Sequence, residues 1–279
     1  MKKHLIAFDI DGTIVTNLTE ISDFTVETLK KLKDMGHYLM PSSARPERMV
    51  RWVAKMLEAN GPSCLLNGAF LYDFENERDM ISPKTLSRDE IGTAFDFIRR
   101  EIGEENILAM HVEGRNYIGT LKPEGMSSYF RSIWDVSDHE ILRLDSVPNV
   151  DAARIVIFPR VEYAQGLHDY LSTVNDSTKC LRVDWEGVVG DMSTRLFFNN
   201  DRADKWNAVL DTAEFLDIDR ESILTFGDNW NDLQMLSENP NGYALKNSYA
   251  ARQGIRETEF TCKENGVARE LVKIFGLKM

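Results

Sequence analysis

Asp9 and Asp11 stand two apart at the end of a short apolar run, Leu5 to Phe8, and Gly12 follows them directly. If that run is a buried strand and the chain turns at Gly12, both carboxylates point into one crevice. A second segment repeats the arrangement. Asp228 follows the apolar run Ile223 to Phe226 and Gly227, and Asp232 lies one helical turn further on. Read singly, such residues are turn residues and helix caps. Read together, four carboxylates at strand ends repel one another unless a cation sits among them. Oxygen ligands at that density suit Mg²⁺, which needs only two or three protein oxygens. No Cys–His spacing for a zinc site occurs.

The elements that must position these residues are legible around them. Ser22 is a candidate N-cap for a helix carrying Val26, Leu29, Leu32 and Met35 on one face and stopped by Gly36. Tyr38 to Met40 reads as a strand running into the polar turn Pro41–Arg45. Pro46 opens a helix, and Ser63 to Leu66 reads as a third strand ending at Asn67-Gly68. Strand, helix, strand, helix, strand within the first 70 or so residues is the grammar of βαβ units in a mostly parallel sheet with helices on both faces. Asp9, Ser43 and Asn67 then fall at the carboxyl ends of successive strands, where open α/β sheets bind ligands.

The middle of the chain differs. It contains a helix near Arg88–Arg100, short strands near Ile107–His111, Asn116–Ile118 and Ile155–Phe158, a helix over Glu162–Val174, and β-rich stretches at Cys180–Val183, Val188–Met192 and Leu196–Phe198. This predicts a separate α+β unit over 83–190 between two parts of one core, 1–82 and 191–279. The α/β pattern returns with a helix carrying Trp206, Val209 and Leu210, the strand Ile223–Phe226, a last short strand at Tyr243–Leu245, and a terminal helix over Val267–Phe275.

Composition bounds the partners. The 279 residues carry 33 Lys and Arg against 45 Asp and Glu, a formal net charge of −12. With no basic tract, the chain is expected to bind no nucleic acid. No apolar stretch is long enough to span a membrane. Cys64, Cys180 and Cys262 are odd in number and far apart, which reads as reduced thiols in a cytoplasmic protein, monomer or homodimer. An anionic substrate would need a local device to overcome the global charge.

The stretch Phe8-Asp9-Ile10-Asp11-Gly12-Thr13 resembles the first motif of the haloacid-dehalogenase-like phosphatase superfamily. Gly227-Asp228-Asn229-Trp230-Asn231-Asp232 resembles its fourth motif, Lys205 its third and Ser43 its second. Asn67-Gly68-Ala69, Gly242–Ser248 and Asn265–Ala268 are similar to the Cof-type branch. The resemblance implies a Rossmann-like core with an inserted α+β cap of the C2 type. It also implies a Mg²⁺-dependent phosphatase of small phosphorylated metabolites, sugar phosphates favoured. Asp9 would be the nucleophile and Asp11 the general acid and base. Asp9, Asp228 and the Asp11 carbonyl would hold Mg²⁺, with Asp232 supporting its water shell or the lysine. Ser43 and Lys205 would bind the phosphoryl group, joined by Arg45, Asn67 and the Gly12 and Ala44 amides. Such a site answers the charge problem, because phosphate meets Mg²⁺, Lys205 and oriented N–H groups rather than the average field.

Two positions depart from the family pattern. Ala44 stands where glycine is usual, which matters if φ must be positive there. Trp206 follows Lys205 where glycine is common, and reads as core packing or as part of the rim. The gap from Asp11 to Ser43 is too short for a large insert, and that from Arg45 to Lys205 accommodates the cap. Cap residues that could read a leaving group are His111, Arg115, Tyr117, Arg182, Asp184, Trp185 and Glu186, each with an ordinary packing or surface role as the alternative. His4 and His37 are expected to have no role, and His139 and His168 read as surface positions. A phosphosugar mutase, a glycosyl-phosphate phosphatase and a non-catalytic metabolite-binding protein are the other readings.

Overall fold

The computed structural model describes residues 2–17, 19–120, 141–143, 152–160, 181–186 and 195–278. The chain divides into two compact units, Met1–Pro83 with Asp204–Met279, and Lys84–Ala203.

The early elements of the first unit are β1 (Leu5–Asp9), α1 (Asp23–Asp34), β2 (Tyr38–Ser42), α2 (Glu47–Leu57), β3 (Ser63–Leu65), β4 (Phe70–Asp73) and β5 (Arg78–Asp79). This unit is built on a seven-stranded sheet in which β12 (Ile223–Gly227) and β13 (Gly242–Ala244) extend one side of the first strand, in the order β13-β12-β1-β2-β3-β4-β5. β1 is buried along its whole length, as a central parallel strand covered on both faces must be. It pairs in parallel with β2, bringing Asp9 opposite Ser42, and with β12, bringing Phe8 opposite Phe226. β4 and β5 add an antiparallel edge. The Ser22 hydroxyl accepts from the Thr25 N–H and caps α1. At the opposite end of β1 from Asp9, the rings of His4, His37 and Phe275 pack together, a structural cluster remote from the carboxylates in the sheet.

The second unit contains α3 (Arg88–Phe97) and a six-stranded sheet of β6 (Ile107–Glu113), β7 (Ile118–Thr120), β8 (Ile141–Arg143), β9 (Arg154–Pro159), β10 (Leu181–Glu186) and β11 (Arg195–Asn200). All its pairings are antiparallel except β7 with β8. α3 and the inner sheet face share a core that includes Ile91, Phe95, Ile157 and Phe198. Glu113 and Arg154 lie opposite each other on β6 and β9 and form a buried ion pair at 2.6 Å. His111 is fully buried in β6 with Phe158 edge-on to it, so it is a packing residue. For Arg182, Asp184, Trp185 and Glu186 the structure describes the β10 backbone only. The expected helix at 162–174, the strand at 188–192, His139 and His168 lie outside the described residues.

β11 corrects one sequence-based boundary. Residues from 191 onward were expected in the core, but β11 pairs with β9 and β10, and the second unit runs to Ala203. Near its two ends, the Asn200 side-chain amide donates to the Thr85 carbonyl at 3.1 Å. Returning to the first unit, the chain forms α4 (Lys205–Phe215), β12 (Ile223–Gly227), α5 (Leu233–Ser237), β13 (Gly242–Ala244), α6 (Tyr249–Arg252) and α7 (Gly266–Phe275). Trp206 is buried in the core with Val209, Leu5 and Cys64, which makes it packing rather than rim.

Candidate active site

The site lies at the carboxyl ends of β1, β2 and β12, on either side of the point where the strand order reverses direction. Lys205 is its centre. Asp204 caps α4 by accepting from the Asn207 N–H at 2.7 Å, which sets the first turn and with it Lys205. The Lys205 ammonium, 1 % exposed, donates to Asp9 Oδ1 at 2.5 Å and to Asp232 Oδ1 at 2.7 Å. Asp232 Oδ2 accepts from the backbone N–H groups of Asp228 (2.9 Å) and Asn229 (3.0 Å). Both Asp232 oxygens are thus engaged, and its carboxylate ties Lys205 to the loop after β12. Asp9 has only one oxygen held by the lysine.

Asp228 is oriented from a third direction. The buried Thr13 hydroxyl donates to Asp228 Oδ1 at 2.9 Å. Gly12 lies against the other oxygen. Its φ is +77°, and a Cβ there would stand 2.6 Å from Asp228 Oδ2, so only glycine lets these two loops approach so closely. This revises the expected role of Gly12. Its N–H donates to the Val15 carbonyl at 3.1 Å and is not directed at a ligand. What Gly12 supplies is room.

Arg45 also departs from expectation. Its guanidinium grips Asp11 with both prongs, Nε to Oδ2 at 2.6 Å and the second nitrogen to Oδ1. Such a planar fork suits a carboxylate and holds it in one orientation. Ser43 is buried, and its Oγ accepts from the Arg45 N–H at 3.1 Å, leaving the hydroxyl hydrogen to be donated elsewhere. Ala44 is absent from the positive-φ residues, so alanine replaces glycine there without backbone strain. The buried Asn67 accepts through its Oδ1 from the Asn231 side-chain amide at 3.1 Å.

The electrostatics point to a missing positive charge. Burial pushes the Asp9 carboxyl well above the usual carboxylate range; Lys205 opposes this, while Asp232 and Asp228 add to it. Burial and Asp232 push Asp228 up to about 7. Burial would lower the Lys205 ammonium, but Asp232 and Asp9 outweigh it and hold the lysine charged. Ligand oxygens of Asp9, Asp228 and Asp232 lie within 4.8 Å of one another. A hard divalent cation fits this all-oxygen donor set and would relieve the repulsion that one lysine leaves in place. Cys262, whose Sγ lies 3.7 Å from the Val15 carbonyl, has its thiol raised to about 11 by burial and by Asp228 and Asp9. It stays protonated near neutrality and is not a nucleophile.

A pH dependence follows. The Asp228 carboxyl has an ordinary value of 3.8 and a folded value of about 7. Between these, the folded chain keeps a proton that the unfolded chain has lost. Its contribution to stability is therefore full below about 3.8 and is lost as pH rises through about 7. Metal-free protein is expected to be less stable at pH 8 than at pH 6, by roughly 1 kcal/mol. Added Mg²⁺ should close that gap, raising the melting temperature more at pH 8. Thermal unfolding with Mg²⁺ or with EDTA at both pH values checks this. A metal-free protein more stable at pH 8 would contradict it.

Carboxylates at the ends of parallel strands, bridged by one buried lysine, define a class of α/β enzyme that handles anionic groups with a divalent cation. The chain belongs to the haloacid dehalogenase-like hydrolases, whose family model matches residues 6–271. It is similar over nearly its full length to two phosphatases of Bacillus subtilis. The 5-amino-6-(5-phospho-D-ribitylamino)uracil phosphatase YitU is 26% identical over 282 residues, covering 99% of both chains. YcsE, which bears the same activity name, is 24% identical over 271 residues, covering 96% of this chain and 94% of the relative. The fold is shared with a haloacid dehalogenase-like hydrolase from Bacteroides thetaiotaomicron, with a TM-score of 0.79, 20% identity and coverage of 98% and 100%. Among the described residues no helix is long and apolar enough to cross a membrane.

Proposed function

We propose that this hydrolase is a Mg²⁺-dependent phosphatase that cleaves phosphomonoesters of small metabolites through an aspartyl-phosphate on Asp9. The observation that carries this reading is the buried Lys205 ammonium held between Asp9 and Asp232, beside Asp228.

With Asp9 Oδ1 bound by Lys205, Oδ2 is the oxygen that attacks phosphorus as the bond to the leaving oxygen breaks. Asp11 gives the leaving oxygen its proton. It then takes a proton from the water that cleaves the acyl-phosphate, regenerating Asp9 and releasing phosphate. Arg45 occupies both Asp11 oxygens, so Asp11 must give up at least one of these bonds to reach the leaving group. Ser43 donates to a phosphoryl oxygen, and Lys205 neutralises charge on phosphate and nucleophile. Mg²⁺ held by Asp9, Asp228 and the Asp11 carbonyl would supply further charge neutralisation on the phosphoryl oxygens.

The substrate we favour is a primary phosphate ester on a hydroxyl-rich chain, a sugar or polyol phosphate. The activity named for both Bacillus relatives is of this kind, a ribityl phosphate. The Lys84–Ala203 unit is the candidate cap that reads the leaving group. A screen of sugar, polyol, pyridoxal and nucleoside phosphates, with Mg²⁺ and with EDTA, tests the reading. Phosphate release that needs Mg²⁺ and is fastest on hydroxyl-rich esters is expected. Release indifferent to EDTA, or none from any ester, would overturn it.

A further inference from the structure

Three consecutive residues, Leu66, Asn67 and Gly68, adopt left-handed backbone conformations, with φ of 49°, 55° and 98°. For glycine this is ordinary. For a leucine it is an outlier, and such strain persists only where the surroundings over-determine it. Here they do. The Leu66 N–H donates to the Arg45 carbonyl at 3.1 Å, and the Asn67 N–H donates to the Ser43 carbonyl at 3.0 Å. Gly68 is pressed so closely on Asp204 that a Cβ would lie 2.3 Å from its carbonyl oxygen. The turn is thus held by the loop that carries Ser43 and by the residue before Lys205. The polar side chain it carries, Asn67, is buried.

An amide side chain has an accepting end and a donating end, and the two are nearly the same shape. Phosphate dianion offers only acceptors, so Asn67 is useful to it only with the NH₂ end presented. Left to itself, the amide turns over freely. Asn231 Nδ2 donates to Asn67 Oδ1 at 3.1 Å, which engages the carbonyl end and not the NH₂ end. We infer that Asn231 is a positioning residue that locks the Asn67 amide in its anion-binding orientation. Asn231 then acts through Asn67 and not on the substrate itself. The inference rests on the phosphatase reading and deepens it.

The test is a double-mutant cycle over wild type, N67A, N231A and N67A/N231A, read with inorganic phosphate as a competitive inhibitor. N231A should raise the phosphate inhibition constant about 3- to 10-fold, the scale of one lost hydrogen bond, with KM rising in step and kcat falling less. N67A should raise it at least as much, and the double variant should match N67A alone. A merely structural role for Asn231 would lower the melting temperature and add to the N67A effect. Should N231A fail to fold, N231S runs the same cycle, since its hydroxyl is too short to reach Asn67. The inference is overturned if the Asn231 substitution leaves phosphate inhibition unchanged, or if its full effect persists in the N67A background. A wild-type enzyme that neither hydrolyses phosphomonoesters nor is inhibited by phosphate would instead sink the phosphatase reading.

Discussion

Replacing Asp9 by asparagine should lower kcat by at least roughly 10⁴-fold, because an amide cannot form the acyl-phosphate and the other carboxylate on Lys205, Asp232, has both oxygens engaged. The same substitution should stabilise the metal-free protein. Asp9 is a buried carboxylate facing Asp232 and Asp228, and a neutral amide of the same shape removes that repulsion while Lys205 keeps Asp232. Thermal unfolding should therefore show a higher melting temperature for D9N in EDTA and a smaller gain on adding Mg²⁺. Hydrolysis by D9N at more than about 1 % of the wild-type rate would place the nucleophile elsewhere.

Lys205→Met has the opposite signature. The methionine fills a similar volume but leaves Asp9 and Asp232 buried without their shared cation. Removing one partner of a buried pair costs about 3–5 kcal/mol, so K205M should lose stability as well as activity. Asp232 keeps its two backbone N–H donors, whereas Asp9 keeps none of its lysine bonds, and so Asp9 should bear most of the cost. As pH falls, Asp9 takes up a proton and the deficit relative to wild type should shrink. Urea unfolding at pH 5 and pH 8 checks this. A deficit that is equal at both would mean that lost packing, not lost charge, is responsible.

Strand ends that carry a carboxylate were legible because a fully buried parallel strand is a continuous apolar run and its end is abrupt. Leu5–Asp9 and Ile223–Gly227 both have this form. The Ser22 cap was readable for the same local reason. β11 was not, because Leu196-Phe197-Phe198 carries no mark of which sheet it joins; that is decided by its pairing with β9 and β10 and not by the segment itself. The grip of Arg45 on Asp11 was also hidden. An arginine two residues after a serine proposed to bind phosphate reads as a phosphate ligand too, and only the fold shows a carboxylate already filling its fork. The Gly12 N–H donates within its own turn, to the Val15 carbonyl, a use the sequence alone does not reveal. Asn231 was visible in its motif, but its partner lies more than 160 residues away, on the strained turn.

The hydrogen bond from Asn200 to the Thr85 carbonyl joins β11, the returning strand of the inserted unit, to the segment by which the chain enters that unit. The insert therefore begins and ends at neighbouring points, like a cassette with a single socket. Its interior can be lengthened, exchanged or redesigned without a new path for the chain, provided the two ends stay side by side. If the insert reads the leaving group, as proposed above, a new substrate requires a change in one contiguous stretch only, while Asp9, Ser43, Lys205 and Asp228 keep their places.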